Sequence, residues 1–183
     1  TVFVEVLFST IIANDDTGNP VNGLDGGVSF DNVLVNDELN GLPVDMADIT
    51  LTQNSTTIGS VNLDPLTGQV IVDPGTPAGT YELVYEICEI LNPDNCDIAT
   101  VTVPVTAPEI IANDDAGDPV NGFTGGVSFD NVLVNDLLNG DPVDPADITL
   151  AEVSSGHPGI SLDPVTGEVL VAAGTPAGNY ELV

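Results

Sequence analysis

Asn14, Asp15 and Asp16 return as Asn113, Asp114 and Asp115, and Asn36 with Asp37 returns as Asn135 with Asp136. Carboxylate and amide side chains in this density supply oxygen donors, and a hard cation such as Ca²⁺ takes about 6 to 8 of them, with main-chain carbonyls and water completing the shell. Asp45, Asp48, Asp144 and Asp147 occupy the loop after the second pair, and Glu109 lies in the linker TAPEII, so all five are further candidate ligands. The competing reading is local: Asn and Asp start turns and tolerate unusual backbone angles. No DxDxDG loop of the EF-hand type is present.

Charge sharpens the choice. The chain has 29 Asp and Glu, no Lys or Arg, and a formal net charge of −29. No carboxylate can find an ammonium or guanidinium partner within its own chain, and self-repulsion opposes a compact state unless counterions gather or metals bind. Most of the acids read as a solvated surface, and a minority as Ca²⁺ ligands. Nucleic acid is excluded as a partner because phosphate-backbone binding needs cations, and anionic membrane surfaces are excluded for the same reason. No apolar run is long enough to insert in a membrane.

Nothing here reads as an enzyme. The single histidine, His157, sits in SSGHPG where the first copy has Ile58 at the matching place. GxSxG, P-loop, HExxH and dinucleotide fingerprints are absent. Acidic pairs are so common that none stands out as a general acid and base.

The elements that position these residues come from a repeat. Shifting the chain by about 99 positions superimposes Ile11–Val84 on Ile110–Val183 without a gap, with about 50 of roughly 74 positions identical. A period that long describes a row of independent domains rather than a solenoid. Thr1–Val6 (TVFVEV) then matches Thr100–Val105 (TVTVPV), and the second copy stops before the counterpart of Tyr85–Val105. The expected division is 1–10, the last strand of a preceding module plus linker; 11–105, a complete module; and 106–183, a second module without its closing hairpin. Abundant Val, Ile and Thr with scattered Gly and Pro imply strands joined by tight corners, and no helical periodicity is seen.

Strand positions follow from alternation. Gly27–Val35 (GVSFDNVLV) reads as a strand crossing a core, Ile49–Thr52 begins another, and DPLTG at Asp64–Gly68 joins VNL to QVIV through a turn with a bulge. Thr52–Asn62, where the copies diverge most, reads as a free edge or exposed loop. If Cys88 faces Cys96 across a hairpin closed by LNPDN, then Tyr85 faces Ala99, Leu83 faces Val101 and Tyr81 faces Val103, all on one apolar face. The sulfurs fall on the other face, as an outer disulfide clip; two separate thiols are the alternative. A disulfide implies an oxidising, extracytoplasmic compartment. About seven strands in roughly 95 residues give an all-β, tandem immunoglobulin-like β-sandwich as the expected fold. AGTY at Ala78–Tyr81 and AGNY at Ala177–Tyr180 resemble tyrosine corners, with a plain core Tyr as the other possibility.

ANDD, NVLVND, LDPLTG and GTPAGTYELVYEI together resemble the tandem immunoglobulin-like and cadherin-like repeats of large secreted or surface-anchored bacterial adhesins and fibres, and CEILNPDNC followed by ATVTV resembles a disulfide-bearing subset of them. The resemblance implies an extracellular spacer or adhesive repeat, often stiffened by Ca²⁺ between domains. ELNG and LLNG stand where the cadherin-like pattern has an Asp-rich run, which leaves the number of ions per module open. The expected function is a structural repeat of an extracellular bacterial fibre or adhesin stalk, rigidified by Ca²⁺ at module junctions. Its partners are neighbouring identical modules, in one covalent array or as subunits that complement the second module by strand donation. The alternatives are a glycan- or protein-binding adhesive module and an accessory domain of a secreted hydrolase.

Overall fold

The computed structural model describes residues 1–7 and 9–183; Phe8, in the linker part of the segment 1–10, lies outside the described residues. The chain divides into two units, Thr1–Pro108 and Glu109–Val183.

In the first unit the strands are β1 (Ile11–Ile12), β2 (Asp16–Thr17), β3 (Val21–Asn22), β4 (Gly27–Phe30), β5 (Glu38–Leu39), β6 (Leu42–Pro43), β7 (Ile49–Thr56), β8 (Val61–Leu63), β9 (Val70–Val72), β10 (Gly79–Glu89) and β11 (Cys96–Thr106). One sheet runs β2-β11-β10-β7, with β3 also on β11; the facing sheet runs β4-β9-β8, and β1-β5-β6 forms a small third ribbon. Leu83, Tyr85 and Ile87 of β10 and Val101, Val103 and Val105 of β11 pack with Val61, Leu63, Val70 and Val72 of the facing sheet. This is an immunoglobulin-like sandwich, all-β, with apolar residues at every second position of both long strands turned inward. Burial of each such Val or Leu contributes about 1.5–3 kcal/mol.

The long hairpin has the expected register: Tyr81↔Val103, Leu83↔Val101, Tyr85↔Ala99 and Cys88↔Cys96. Cys88 and Cys96 form a disulfide on the outer face, beside Glu86. Both tyrosine corners are present, Tyr81 donating its hydroxyl to the Pro77 carbonyl at 2.8 Å and Tyr180 donating to Pro176 at 2.9 Å. β7 and β8 are edge strands of their sheets, which is where the diverged Thr52–Asn62 stretch lies.

One expectation needs correction. Gly27–Val35 is not a single strand: β4 ends at Phe30, and Val33–Asn36 forms a 3-10 helix that buries Val33 and Leu34. Asn32 is the reason. Its side chain accepts from the Leu34 amide at 3.0 Å and so caps the turn, a competition that short polar side chains win against the sheet. Gly68, in the DPLTG turn at φ 76°, closes over this cap, and a Cβ there would run into Asn32 Oδ1. Gly68→Ala should therefore cost about 2–3 kcal/mol, from the left-handed backbone and the displaced cap together, read as a lower urea midpoint.

The second unit holds β12 (Ile110–Ile111), β13 (Gly126–Phe129), β14 (Leu137–Leu138), β15 (Asp141–Pro142), β16 (Ile160–Leu162) and β17 (Val169–Val171). They form two small sheets, β12-β14-β15 and β13-β17-β16, that repeat β1-β5-β6 and β4-β9-β8. The segments matching β2 and β3 form no strand among the described residues, and the segment matching the start of β10 keeps one bridge, Ser155↔Leu182. Accordingly Val120, Val132, Val169 and Val171 are only partly buried, where their counterparts Val21, Val33, Val70 and Val72 are buried.

Candidate metal centre

Asn14, Asp15, Asp16, Asn36 and Asp37 meet at one pole of the first unit, because β1 leads into the first three and the 3-10 helix delivers the other two. The Asn14 amide donates to Asp37 Oδ1 at 2.8 Å, the Asn14 side chain donates to the Asn36 carbonyl at 2.7 Å, and the Asn36 side chain donates to the Asp15 carbonyl at 3.3 Å. Asp15 Oδ1 accepts from the Thr100 amide at 2.8 Å, which ties the pole to β11. Asn14, Asp15 and Asn36 form a solvent-exposed rim, while Asp16 and Asp37 are buried beneath it.

Two further residues shape the floor. Tyr85, fully buried, places its hydroxyl 3.0 Å from Asp37 Oδ2 and 3.1 Å from the carbonyls of Asn14 and Val33. Asp97 accepts from the Ala13 amide at 2.9 Å. Sequence patterning put Tyr85 in the core without seeing what its hydroxyl does; the available signal was that a buried phenol needs a polar partner.

Asp16 is the group out of balance. It is 6% exposed, and its Oδ2 meets no hydrogen-bond donor. Burial, then the neighbouring Asp37 charge, push its carboxyl up to about 7, although Asn36 and Tyr85 oppose the shift. Asp37 is also raised by burial, against the Asn14 amide and the Tyr85 hydroxyl. The Tyr85 phenol is held far above its ordinary range, first by burial and then by the two carboxylates.

The second unit repeats the frame. The Asn113 amide donates to Asp136 Oδ1 at 2.7 Å, the Asn113 side chain to the Asn135 carbonyl at 2.7 Å, and the Asn135 side chain to the Asp114 carbonyl at 3.4 Å. Asp136 is buried, but Asp114 and Asp115 are exposed. Burial and then Asp136 raise Asp115. Glu109 is not brought to this cluster within its unit: its amide donates to Asn139 Oδ1 at 3.1 Å beyond the far end of β12, and its side chain is exposed. Asp45 and Asp144 each accept from an amide two residues on, at 2.9 Å, as turn formers, and Asp48 and Asp147 are exposed.

Among the described residues, the one trio of His, Cys, Asp or Glu ligand atoms within 4.8 Å of each other is Glu86, Cys88 and Cys96, and its sulfurs are spent in the disulfide. The pole therefore offers a carboxylate pair, Asp16 and Asp37, supplemented by amide and main-chain oxygens rather than a ring of acids. That donor set fits Ca²⁺, which accepts neutral oxygens and water alongside two carboxylates. The orphaned Asp16 Oδ2 fits it too.

The chain matches no protein-family model and no curated protein. Similar solved structures include the human desmocollin-1 ectodomain, at 14% identity over 91% of this chain and 34% of that one, with a TM-score of 0.41. Drosophila N-cadherin EC1-4 is similar at 12% identity over 90% and 40%, with a TM-score of 0.38. The protocadherin gammaB4 extracellular domain is similar at 12% over 91% and 29%, with a TM-score of 0.37. The chain thus spans less than half the length of each.

Proposed function

We propose that the chain is a structural repeat of an extracellular fibre or adhesin stalk, and that Ca²⁺ taken up at the acidic pole of each module holds the module rigid. One observation carries the reading: Asp16 is a buried carboxylate with an unpartnered oxygen, next to Asp37, in a chain with no Lys or Arg to neutralise either. Two adjacent buried anions are costly to keep without a counter-charge. A divalent cation held by Asp16, Asp37 and the rim oxygens of Asn14, Asp15 and Asn36 removes that cost. Each pole follows β1 or β12, the first strand of its module, so a bound ion also pins that entering segment. The surface disulfide supports an oxidising compartment.

Calcium titration followed by thermal melting tests the reading. At about 100-fold excess over Kd, mass action adds about 2.7 kcal/mol, roughly 10 °C or more for a domain of this size. Na⁺ at matched ionic strength should give far less. Equal shifts from the two salts would reduce the effect to screening and remove the site.

A further inference from the structure

Asn54, Ser55 and Thr56 read Asn-x-Thr, the acceptor pattern for an N-linked sugar, and no other Asn of the chain has Ser or Thr two places on. So short a pattern arises by chance, and the fold around it decides whether a sugar can be carried. Asn54 lies near the end of β7, the outermost strand of the sheet β2-β11-β10-β7.

The pairing of β7 with β10 slips at this residue. Leu83 pairs with Thr56, Val84 with Ser55 and Tyr85 with Gln53, so Asn54 is the extra residue of a β-bulge. The alternation of buried and exposed residues that runs from Ile49 to Thr52 gives way there to two exposed neighbours, Asn54 and Ser55. A bulge re-aims a side chain and interrupts the ladder locally. Among the described residues the Asn54 side chain makes no hydrogen bond, whereas Gln53 beside it reaches across to the Leu63 amide at 2.8 Å. The second unit keeps that bridge, Glu152 accepting from the Leu162 amide at 3.1 Å, but has Val153 at the place of Asn54. Gln53 ties the two sheets together; Asn54 is free of any such duty.

We propose that Asn54 is the attachment point of an N-linked glycan, received from a polyprenyl-diphosphate-linked oligosaccharide during export. In the transfer Asn54 Nδ2 bonds to the anomeric carbon of the sugar. The anomeric C–O bond to the diphosphate breaks, the diphosphate leaves with the electron pair, and a base of the transferase takes the amide proton. In the folded unit the Thr56 hydroxyl donates to the Ile58 carbonyl at 2.9 Å, so a transferase meets it unengaged only before β7 has docked. Transfer therefore precedes folding of this strand. The bulge then lets the attached sugar stand in solvent without displacing a core side chain. On an edge strand a bulky polar sugar also bars the approach of another strand. The proposal rests on the extracellular part of the functional reading and is independent of the cation.

Secretion of the full chain from a eukaryotic cell line tests it. Intact mass should show one glycan, and release by a peptide N-glycosidase in heavy-oxygen water should leave labelled Asp at position 54. Asn54→Gln should abolish the glycan. Thr56→Ala should lower occupancy about 10-fold, while Thr56→Ser retains it. The glycosylated chain should melt no lower than the same chain after enzymatic removal of the sugar. An unmodified Asn54, a glycan that survives Thr56→Ala, or a glycosylated chain that melts below its deglycosylated form overturns the proposal. Because none of these readouts involves calcium, they leave the cation site to its own test.

Discussion

Asp16→Asn should make the metal-free protein more stable at pH 8 and insensitive to calcium in its first unit. The carboxyl of Asp16 is raised from 3.8 to about 7. A raised carboxylate binds its proton more tightly in the folded state. Its contribution is therefore neutral below the unfolded value, grows unfavourable between pH 4 and 7, and is full above 7. That difference corresponds to roughly 4 kcal/mol lost at pH 8 in chelator. Asparagine removes that charge, presents an amide donor toward Asp37, and should recover about 2–4 kcal/mol. In calcium the order changes, because the wild-type chain gains the ion and the variant does not. Urea melts at pH 5 and pH 8, each with EDTA and with Ca²⁺, give the four values needed. Loss of stability in EDTA at pH 8, or an undiminished calcium response from the first unit, would sink the assignment of Asp16 as a ligand.

Tyr85→Phe should cost about 2–4 kcal/mol, the range for taking a donor from a buried charged acceptor. The ring stays and the core remains filled, so the loss reports on the hydroxyl alone. Its single proton is best placed for Asp37 Oδ2 at 3.0 Å. Without it Asp37 keeps the Asn14 amide but loses the phenol, and its carboxyl should rise further. The phenol donates to the ionised form of Asp37, so the penalty should grow as pH rises and that carboxyl loses its proton. A pH-independent loss would point to packing instead.

The hairpin was readable in advance because one assumed pair, Cys88 with Cys96, determines every later pair through a period of two, and a slip of one residue would turn Leu83, Tyr85, Val101 and Val103 outward. The meeting of Asn14 with Asn36 and Asp37 was readable from strand order alone. The burial of Asp16 was not. It depends on β2 lying against β11, a contact between residues about 85 apart that no local pattern announces. The apolar run Asn32–Val35 misled for a related reason: hydrophobicity marks burial without distinguishing a strand from a tight turn, and the capping oxygen of Asn32 decided it.

β2 and β3 lie parallel to β11, the arrangement in which a module's first and last segments run side by side in the same direction. Tension applied at the two ends of such a module drags these neighbours in opposite senses along their length. The bonds between them then bear load together, in shear, instead of opening one after another like a zip. A tether built from such units would resist stretching through the geometry of its termini, before cations or sulfur bridges are considered.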